Sequence, residues 1–197
     1  MSWNVKGLGK SEKRGRIRKL ICDRRVDLLL LQETKKASIS ESEVRTLWGR
    51  SNMEFMAVDS KGTTWGLLCI WDPSLFQLKD CCCNRRFVLL SGTLLNSFDC
   101  VILNVYTPND VSGRGILWDT LLKLKSDFPN LWKYTRCNAQ EGEKWCGIDR
   151  VLLNPEWLQR FNFKLWGLPR TCSDHCLLLL MEDERDWGPR PFRFINA

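Results

Sequence analysis

Short blocks of apolar and polar residues follow one another along the chain and predict a mixed α/β fold. Residues 26–34 (VDLLLLQET) form a continuous aliphatic run of strand length that ends at polar side chains. This pattern is typical of a strand that is buried on both faces and stops at the edge of a sheet. In residues 10–25, by contrast, Ile17, Leu20 and Ile21 recur at helical spacing, with lysines and arginines on the other side. These residues therefore predict a basic surface helix.

Strand candidates dominate the first half of the chain. A short strand is predicted at 1–5, and five more follow in series at 53–60, 66–72, 76–84, 86–95 and 99–108. Turn-forming residues separate these five strands: Gly62, Asp72-Pro73, Asn84 and Asn96-Ser97. Because the connections are short, they favour an antiparallel meander over βαβ units and predict a mixed sandwich.

Two more helices are predicted, one at 41–49 and one at 116–128. In the second, Ile116, Leu117, Leu121 and Leu124 are expected to share the buried face. The polar stretch 129–146 has no periodicity and is predicted to be the least ordered internal segment.

Regular elements return after residue 146. They comprise a strand at 147–153, a helix at 154–161 that Asn154 caps and Pro155 begins, and strands at 163–169 and 175–181. We expect a single domain over 1–181 and a loosely held C-terminal tail over 182–197.

Composition narrows the class of protein. Thirty Lys and Arg against twenty-three Asp and Glu give a net charge of +7, which favours a polyanionic partner such as nucleic acid, although a solvated helix face would give the same excess. The ten cysteines are irregularly spaced and several lie in apolar runs, so buried reduced thiols are expected rather than a disulfide framework. There is no signal-peptide pattern or membrane-length apolar run, so we expect a nuclear or cytoplasmic protein that is not secreted.

Polar groups stand where the predicted strands end. They are Asn4, Glu33, the turn from Tyr106 to Asn109, and Asp174 with His175; Asp149 interrupts the apolar strand at 147–153. Taken singly, each has an ordinary explanation as a strand end, a surface carboxylate, a turn or a helix cap. Their occurrence at successive strand ends favours convergence on one rim of the sheet.

The donor types at this rim suit phosphodiester chemistry. Carboxylates such as Glu33 and Asp174 are ligands that Mg²⁺ prefers, with Mn²⁺ as an alternative. A protonated His175 would neutralise charge on the phosphate oxygens, while Tyr106 and Asn109 would hold the phosphate by hydrogen bonds. A different class of function, a cysteine-rich metal or interaction module, rests on the loose cluster of Cys172, Cys176 and His175.

The ordered motifs resemble a known superfamily. SWNVKGLG, LLLLQETK, NVYTPND, IDRVLL and LPRTCSDH are similar to successive motifs of the endonuclease/exonuclease/phosphatase superfamily, which includes DNase I-like and AP endonucleases. WGLLCIWD, GRGILWDTL and the segment from DRVLLNPEWLQRF to FRFINA most closely resemble endonuclease domains of plant LINE-type (non-LTR) retrotransposons.

The resemblance implies a four-layer α/β/β/α sandwich and Mg²⁺-dependent cleavage of nucleic acid, chiefly DNA, by a monomer. Carried over by match, Glu33 would bind the metal and Asn4 would support it. Tyr106 and Asn109 would contact the phosphate. Asp174 would be a second acid near the metal, and His175 would contact the scissile phosphate, oriented by Asp149.

One departure from the superfamily pattern concerns catalysis. The Gly-Asp-Phe-Asn motif that positions and activates the attacking water in the superfamily is not found between the Tyr-containing strand and the Asp-Arg strand. We therefore expect an internal deletion near residues 132–133 that removes a central strand and impairs catalysis. The abrupt first strand and short C-terminal part lead to the same expectation, that the chain is a fragment or decayed copy of a mobile-element gene.

Overall fold

A computed structural model describes residues 1–60, 65–108, 110–127, 136–137, 151–153, 155–170 and 173–182. The helices are α1 (Ser11–Asp23), α2 (Glu41–Trp48), α3 (Val111–Asp127) and α4 (Pro155–Arg160). The strands are β1 (Ser2–Asn4), β2 (Leu28–Gln32), β3 (Glu54–Val58), β4 (Leu67–Trp71), β5 (Phe76–Asn84), β6 (Phe87–Leu94), β7 (Phe98–Val105), β8 (Arg136–Cys137), β9 (Val151–Leu152), β10 (Phe163–Leu168) and β11 (Leu177–Glu182).

The larger sheet has six strands in the order β10-β11-β1-β2-β4-β3. β1 and β2 are parallel, joined by α1, with Asn4 opposite Gln32. β11 is antiparallel to β1, with Ser2 opposite Leu178, so the first and last described strands are neighbours inside the sheet. Both faces of the aliphatic run of β2 are covered: Leu29 and Leu31 are buried beneath the helices, and Leu28 and Leu30 are half-buried against the second sheet.

The second sheet contains β5, β6 and β7 as antiparallel neighbours. The five strands predicted as one meander are thus divided: β3 and β4 pair within the larger sheet, and the chain crosses to the second sheet at Asp72-Pro73. The sheets pack face to face through one buried cluster. Its members are Leu67, Cys69, Trp71, Phe76, Val88, Leu90, Cys100 and Ile102.

Helices cover the two outer faces. Ile17 and Ile21 of α1 and Trp48 of α2 pack against the outer face of the larger sheet, as the helical spacing predicted for α1. On the opposite side, Leu117 and Leu121 of α3 pack against Phe87 and Leu89 of the second sheet. The described elements therefore form the predicted four layers, α/β/β/α.

The prediction for α3 was wrong in two respects. The helix begins at Val111 rather than at Ile116, and Ile116 is 59% exposed instead of sharing the buried face. The buried side follows Leu117, Leu121 and Leu124 at i, i+4 and i+7. Because successive helical residues are turned by about 100°, Ile116 points away from the face that Leu117 buries.

The cysteines in the described part of the chain differ in exposure. Cys69, Cys100 and Cys176 are buried, as predicted, whereas Cys22, Cys81 and Cys83 are exposed, against the prediction. β5 lies at an edge of its sheet, where Cys81 and Cys83 are exposed while Cys82 between them is half-buried against the cluster beneath α3.

Alkylation should distinguish these groups of thiols. Burial raises the pKa of the Cys69 and Cys100 thiols to about 12, and the thiolate is the reacting form. In native protein, iodoacetamide should label Cys22, Cys81 and Cys83 rapidly and reach Cys69 and Cys100 only after unfolding. Peptide mass spectrometry measures the labelling. Fast modification of Cys69 in the folded chain would contradict the packing of the two sheets.

Some predictions concern residues outside the described ranges. These are Asn109, Asp149, the helix cap Asn154, Cys172, the tail after Glu182, and the junction 129–146 apart from Arg136–Cys137, which pair with Val151–Leu152. In the part of the chain that the structure describes, every helix is too short or too polar to cross a membrane.

Candidate active site

Parallel pairing of β1 and β2 brings two predicted site residues to the same edge of the larger sheet. Asn4 is the last residue of β1, and Glu33 directly follows β2. The Asn4 Nδ2 amide donates to Glu33 Oε1 over 2.9 Å. The Lys6 backbone N–H donates to Asn4 Oδ1 at 3.2 Å, which fixes the orientation of the amide. Asn4 thus holds one carboxylate oxygen of Glu33.

Glu33 lies on a strained but well-supported turn. Its φ is +54°, a left-handed conformation that costs a non-glycine residue about 1 kcal/mol. Hydrogen bonds on both sides hold it: Gly7 N–H donates to Glu33 O at 2.7 Å, and Thr34 N–H donates to Gly66 O at 3.0 Å. The Glu33 side chain is only 14% exposed. The backbone at Glu33 is therefore held by the turns before α1 and before β4.

The antiparallel pairing of β11 with β1 brings the Ser-Asp-His segment to the same edge, because these residues precede Leu177. Ser173 Oγ donates to the Asn4 carbonyl at 2.6 Å, and Trp3 Nε1 donates to the His175 carbonyl at 3.1 Å. Asp174 is exposed and His175 is half-buried. The Ser-Asp-His segment therefore lies beside the end of β1, at the edge of the sheet that Glu33 also follows.

Two lysines that sequence reasoning missed lie beside the carboxylates. Lys6 Nζ donates to Asp174 Oδ2, and Lys35 Nζ lies 3.6 Å from Glu33 Oε2. The hydrogen bond lowers the pKa of the Asp174 carboxyl and raises the pKa of Lys6. Their positions in the sequence were the available signal, since Lys6 is two residues after Asn4 and Lys35 two after Glu33.

Tyr106 reaches the site from the second sheet. It follows β7, which is tied to β2 because Gln32 Nε2 donates to Asn104 Oδ1 at 2.5 Å. Burial raises the pKa of Tyr106, and the negative charge of Glu33 raises it further. The phenol therefore stays protonated at neutral pH and can donate a hydrogen bond.

The structure thus gathers five of the seven predicted site residues at one rim: Asn4, Glu33, Tyr106, Asp174 and His175. Asn109 and Asp149 lie outside the described residues. Within the described ranges, no three His, Cys, Asp or Glu side chains form a cluster that could hold a metal. Glu33 and Asp174 nevertheless match the donor type of Mg²⁺, which needs only one or two carboxylates and fills its shell with water.

Comparison with known proteins bears on the fold. No protein-family model and no curated protein matches the sequence. Among solved structures, the catalytic domain of Xenopus laevis APE2 superposes with a TM-score of 0.53 at 13% identity, covering 94% of this chain and 93% of that one. The chain has the DNase I-like fold. This confirms the fold class that the ordered motifs implied.

Other proteins with the DNase I-like fold match over a shorter length. The AP endonuclease of Leishmania major gives a TM-score of 0.42 at 21% identity, covering 66% of this chain and 45% of that one. The 3′ phosphatase NExo of Neisseria, solved with product DNA hairpin, gives 0.45 at 18% identity, covering 66% and 52%. This chain therefore spans about half the length of either protein.

Proposed function

We propose that the chain carries a Mg²⁺-dependent, endonuclease-type phosphodiesterase site for nucleic acid in which hydrolysis is impaired. The observation that carries the proposal is the hydrogen bond from Asn4 to Glu33, made at the rim where Tyr106 and Asp174 also lie. The amide fixes Oε1, and the second oxygen, Oε2, which lies 3.6 Å from Lys35 Nζ, is the one that would bind a cation. The DNase I-like fold supports the same class of activity.

Each residue at the rim has a chemical role in this proposal. Glu33 and Asp174 would hold the metal ion, which supplies positive charge to the phosphate oxygens when bound. Tyr106 is protonated at neutral pH and would donate a hydrogen bond to a non-bridging phosphate oxygen. His175 would contact the scissile phosphate, and Asn109 and Asp149 keep the roles that the resemblance implies.

The nucleic-acid backbone would meet the exposed cations of α1. Part of the basic face predicted there serves the fold instead: Lys13 Nζ donates to Val5 O at 2.5 Å, and Arg14 Nη1 donates to Leu8 O at 2.8 Å. Lys10 is exposed at the N-terminal end of the helix, which follows β1 and lies nearer the rim. Phosphate contacts by such residues give affinity without sequence preference and weaken as salt rises.

Impaired hydrolysis follows from the sequence. Without the Gly-Asp-Phe-Asn motif, no residue is assigned to orient and deprotonate the attacking water. General base catalysis contributes roughly 10²–10⁴-fold to rate, and positioning contributes more. The proposal includes an origin in a plant LINE-type retrotransposon with an internal deletion near 132–133. An adjacent reverse-transcriptase reading frame in the encoding locus would support this origin, and an intact intervening sequence would refute the deletion.

Metal binding and plasmid nicking test the proposal together. Mn²⁺ binding, followed by the electron paramagnetic resonance signal of the free ion, should weaken by roughly tenfold or more in Glu33→Gln, because one of two carboxylate ligands is lost. Glu12→Gln, which removes an exposed carboxylate on α1, should leave Mn²⁺ binding unchanged. With Mg²⁺ present, nicking of supercoiled plasmid should not exceed the background. In gel-shift assays the chain should still retard short DNA.

Two results would count against the proposal in different ways. EDTA-sensitive nicking that disappears in Glu33→Ala and His175→Ala would show an active nuclease and refute the impairment. Equal Mn²⁺ binding by the chain and by Glu33→Gln would refute the metal site.

A further inference from the structure

Among the described residues of the rim, each carboxylate is paired with an ammonium group. Among the described residues there, Glu33 faces Lys35 and Asp174 faces Lys6, so two carboxylates meet two ammonium groups. A divalent cation binding to both carboxylates would enter a neutral site rather than one of charge −2. Lys6 is the more consequential lysine because its ammonium directly contacts the Asp174 carboxylate.

The backbone of Lys6 is held in place. Its N–H donates to Asn4 Oδ1, and the next residue, Gly7, donates to Glu33 O. The φ of Lys6 is +45°, and Lys13 Nζ donates to the preceding carbonyl of Val5. The loop therefore cannot carry Lys6 away from the rim without breaking contacts to Asn4 and Glu33. Rotation of the lysine side chain, which is 42% exposed, can release Asp174 without moving the backbone.

We propose that the Lys6 ammonium and a divalent metal ion exclude one another on the Asp174 carboxylate. Lys6 is then a positioning residue that keeps the rim charge-balanced while no metal is bound and lowers the affinity for the metal. A bound cation and the ammonium would repel one another at the distance of a shared carboxylate, so the metal binds only after Lys6 has turned toward solvent. This inference rests on the proposed metal site and adds a competitor to it.

Titration with Mn²⁺ of the full chain and its variants tests the competition. Lys6→Gln, which removes the charge and keeps a long polar side chain, should tighten Mn²⁺ binding by roughly tenfold at fixed ionic strength. The matched control is Lys19→Gln, which removes the same charge from the exposed face of α1 and should change the affinity by less than about twofold.

A double variant separates competition from a general effect of charge. In an Asp174→Asn background the shared carboxylate is gone, so Lys6→Gln should produce a much smaller gain than in the wild-type chain. An equal gain in both backgrounds would overturn the competition. Wild-type binding that Lys6→Gln leaves unchanged or weakens would overturn this inference alone. Mn²⁺ binding by neither the wild-type chain nor Lys6→Gln would overturn the metal site as well.

Discussion

Replacing Gly66 with alanine should lower the free energy of unfolding by about 2–4 kcal/mol and weaken Mn²⁺ binding. Gly66 has a φ of +92°, which side chains rarely adopt, and a Cβ there would overlap Thr34 Oγ1 and lie 3.2 Å from Lys35 N. Its carbonyl accepts from Thr34 N–H, next to Glu33. Relief of the clash therefore requires movement of the turn that positions the Glu33 carboxylate.

Urea denaturation measures the loss of stability, and two variants sharpen the interpretation. Gly15→Ala is the matched control, because a Cβ at this exposed helical position meets nothing within 4 Å; it should stabilise the chain by about 0.5–1 kcal/mol. The Thr34 hydroxyl is buried without a partner among the described residues, so adding Thr34→Ala should restore part of the stability lost in Gly66→Ala. A Gly66→Ala variant as stable as the parent would contradict the described turn.

Replacing Asn104 with aspartate should destabilise the fold by about 3–5 kcal/mol at neutral pH. Asn104 is 1% exposed between the sheets, and its Nδ2 donates to Leu31 O at 3.1 Å and toward Leu68 O at 3.4 Å. A carboxylate there would place a negative charge against two carbonyl oxygens. The introduced charge should also shift Tyr106 relative to Glu33. Asn104 connects β7, which Tyr106 follows, to β2, which Glu33 follows.

The destabilisation should depend on pH with a defined sign. Burial and the facing carbonyls would raise the folded-state pKa of the introduced aspartate above its unfolded value of about 4. At pH values above about 4, the unfolded chain has released the proton of this aspartate, whereas the folded chain keeps it. The loss of stability therefore grows as the pH rises through about 4. Below it the protonated acid can donate to Leu31 O, and the loss shrinks. Asn96→Asp, in the exposed β6–β7 turn, is the control and should change stability by less than about 0.5 kcal/mol; equal effects at both positions would refute the interpretation.

Local sequence patterns predicted the elements well and their assembly only in part. The aliphatic run of β2 and the spacing of Ile17 and Ile21 on α1 were sufficient to predict these two elements, because the residues on one face of a strand or helix recur with a fixed period. Periodicity does not specify which strands share a sheet, so the crossing at Asp72-Pro73 was missed. A run of apolar residues can be buried equally well as a strand of either sheet.

The candidate site was predicted through strand ends, and its ion pairs were missed for a related reason. Asn4 and Glu33 could be placed together because both stand at the ends of apolar strand runs, and polar groups at strand ends can converge on one rim. The pairing of Lys6 with Asp174 joins residues 168 positions apart, and nothing in either neighbourhood indicates the other. Asn104 was missed because a polar residue in an apolar strand gives no sign of whether its partner lies in its own sheet or across the sandwich.

The neighbouring positions of β1 and β11 have a consequence for biosynthesis. The bond from Trp3 to the His175 carbonyl closes a loop of 172 positions, and pairing over such separations makes folding slow. During translation, β1 can pair with β2 early, but its other edge stays unpaired until the Ser-Asp-His segment and β11 have left the ribosome. The rim lacks Asp174 before then, so a ribosome-bound nascent chain that stops short of residue 173 should bind Mn²⁺ more weakly than the full chain and should expose an open sheet edge to chaperones.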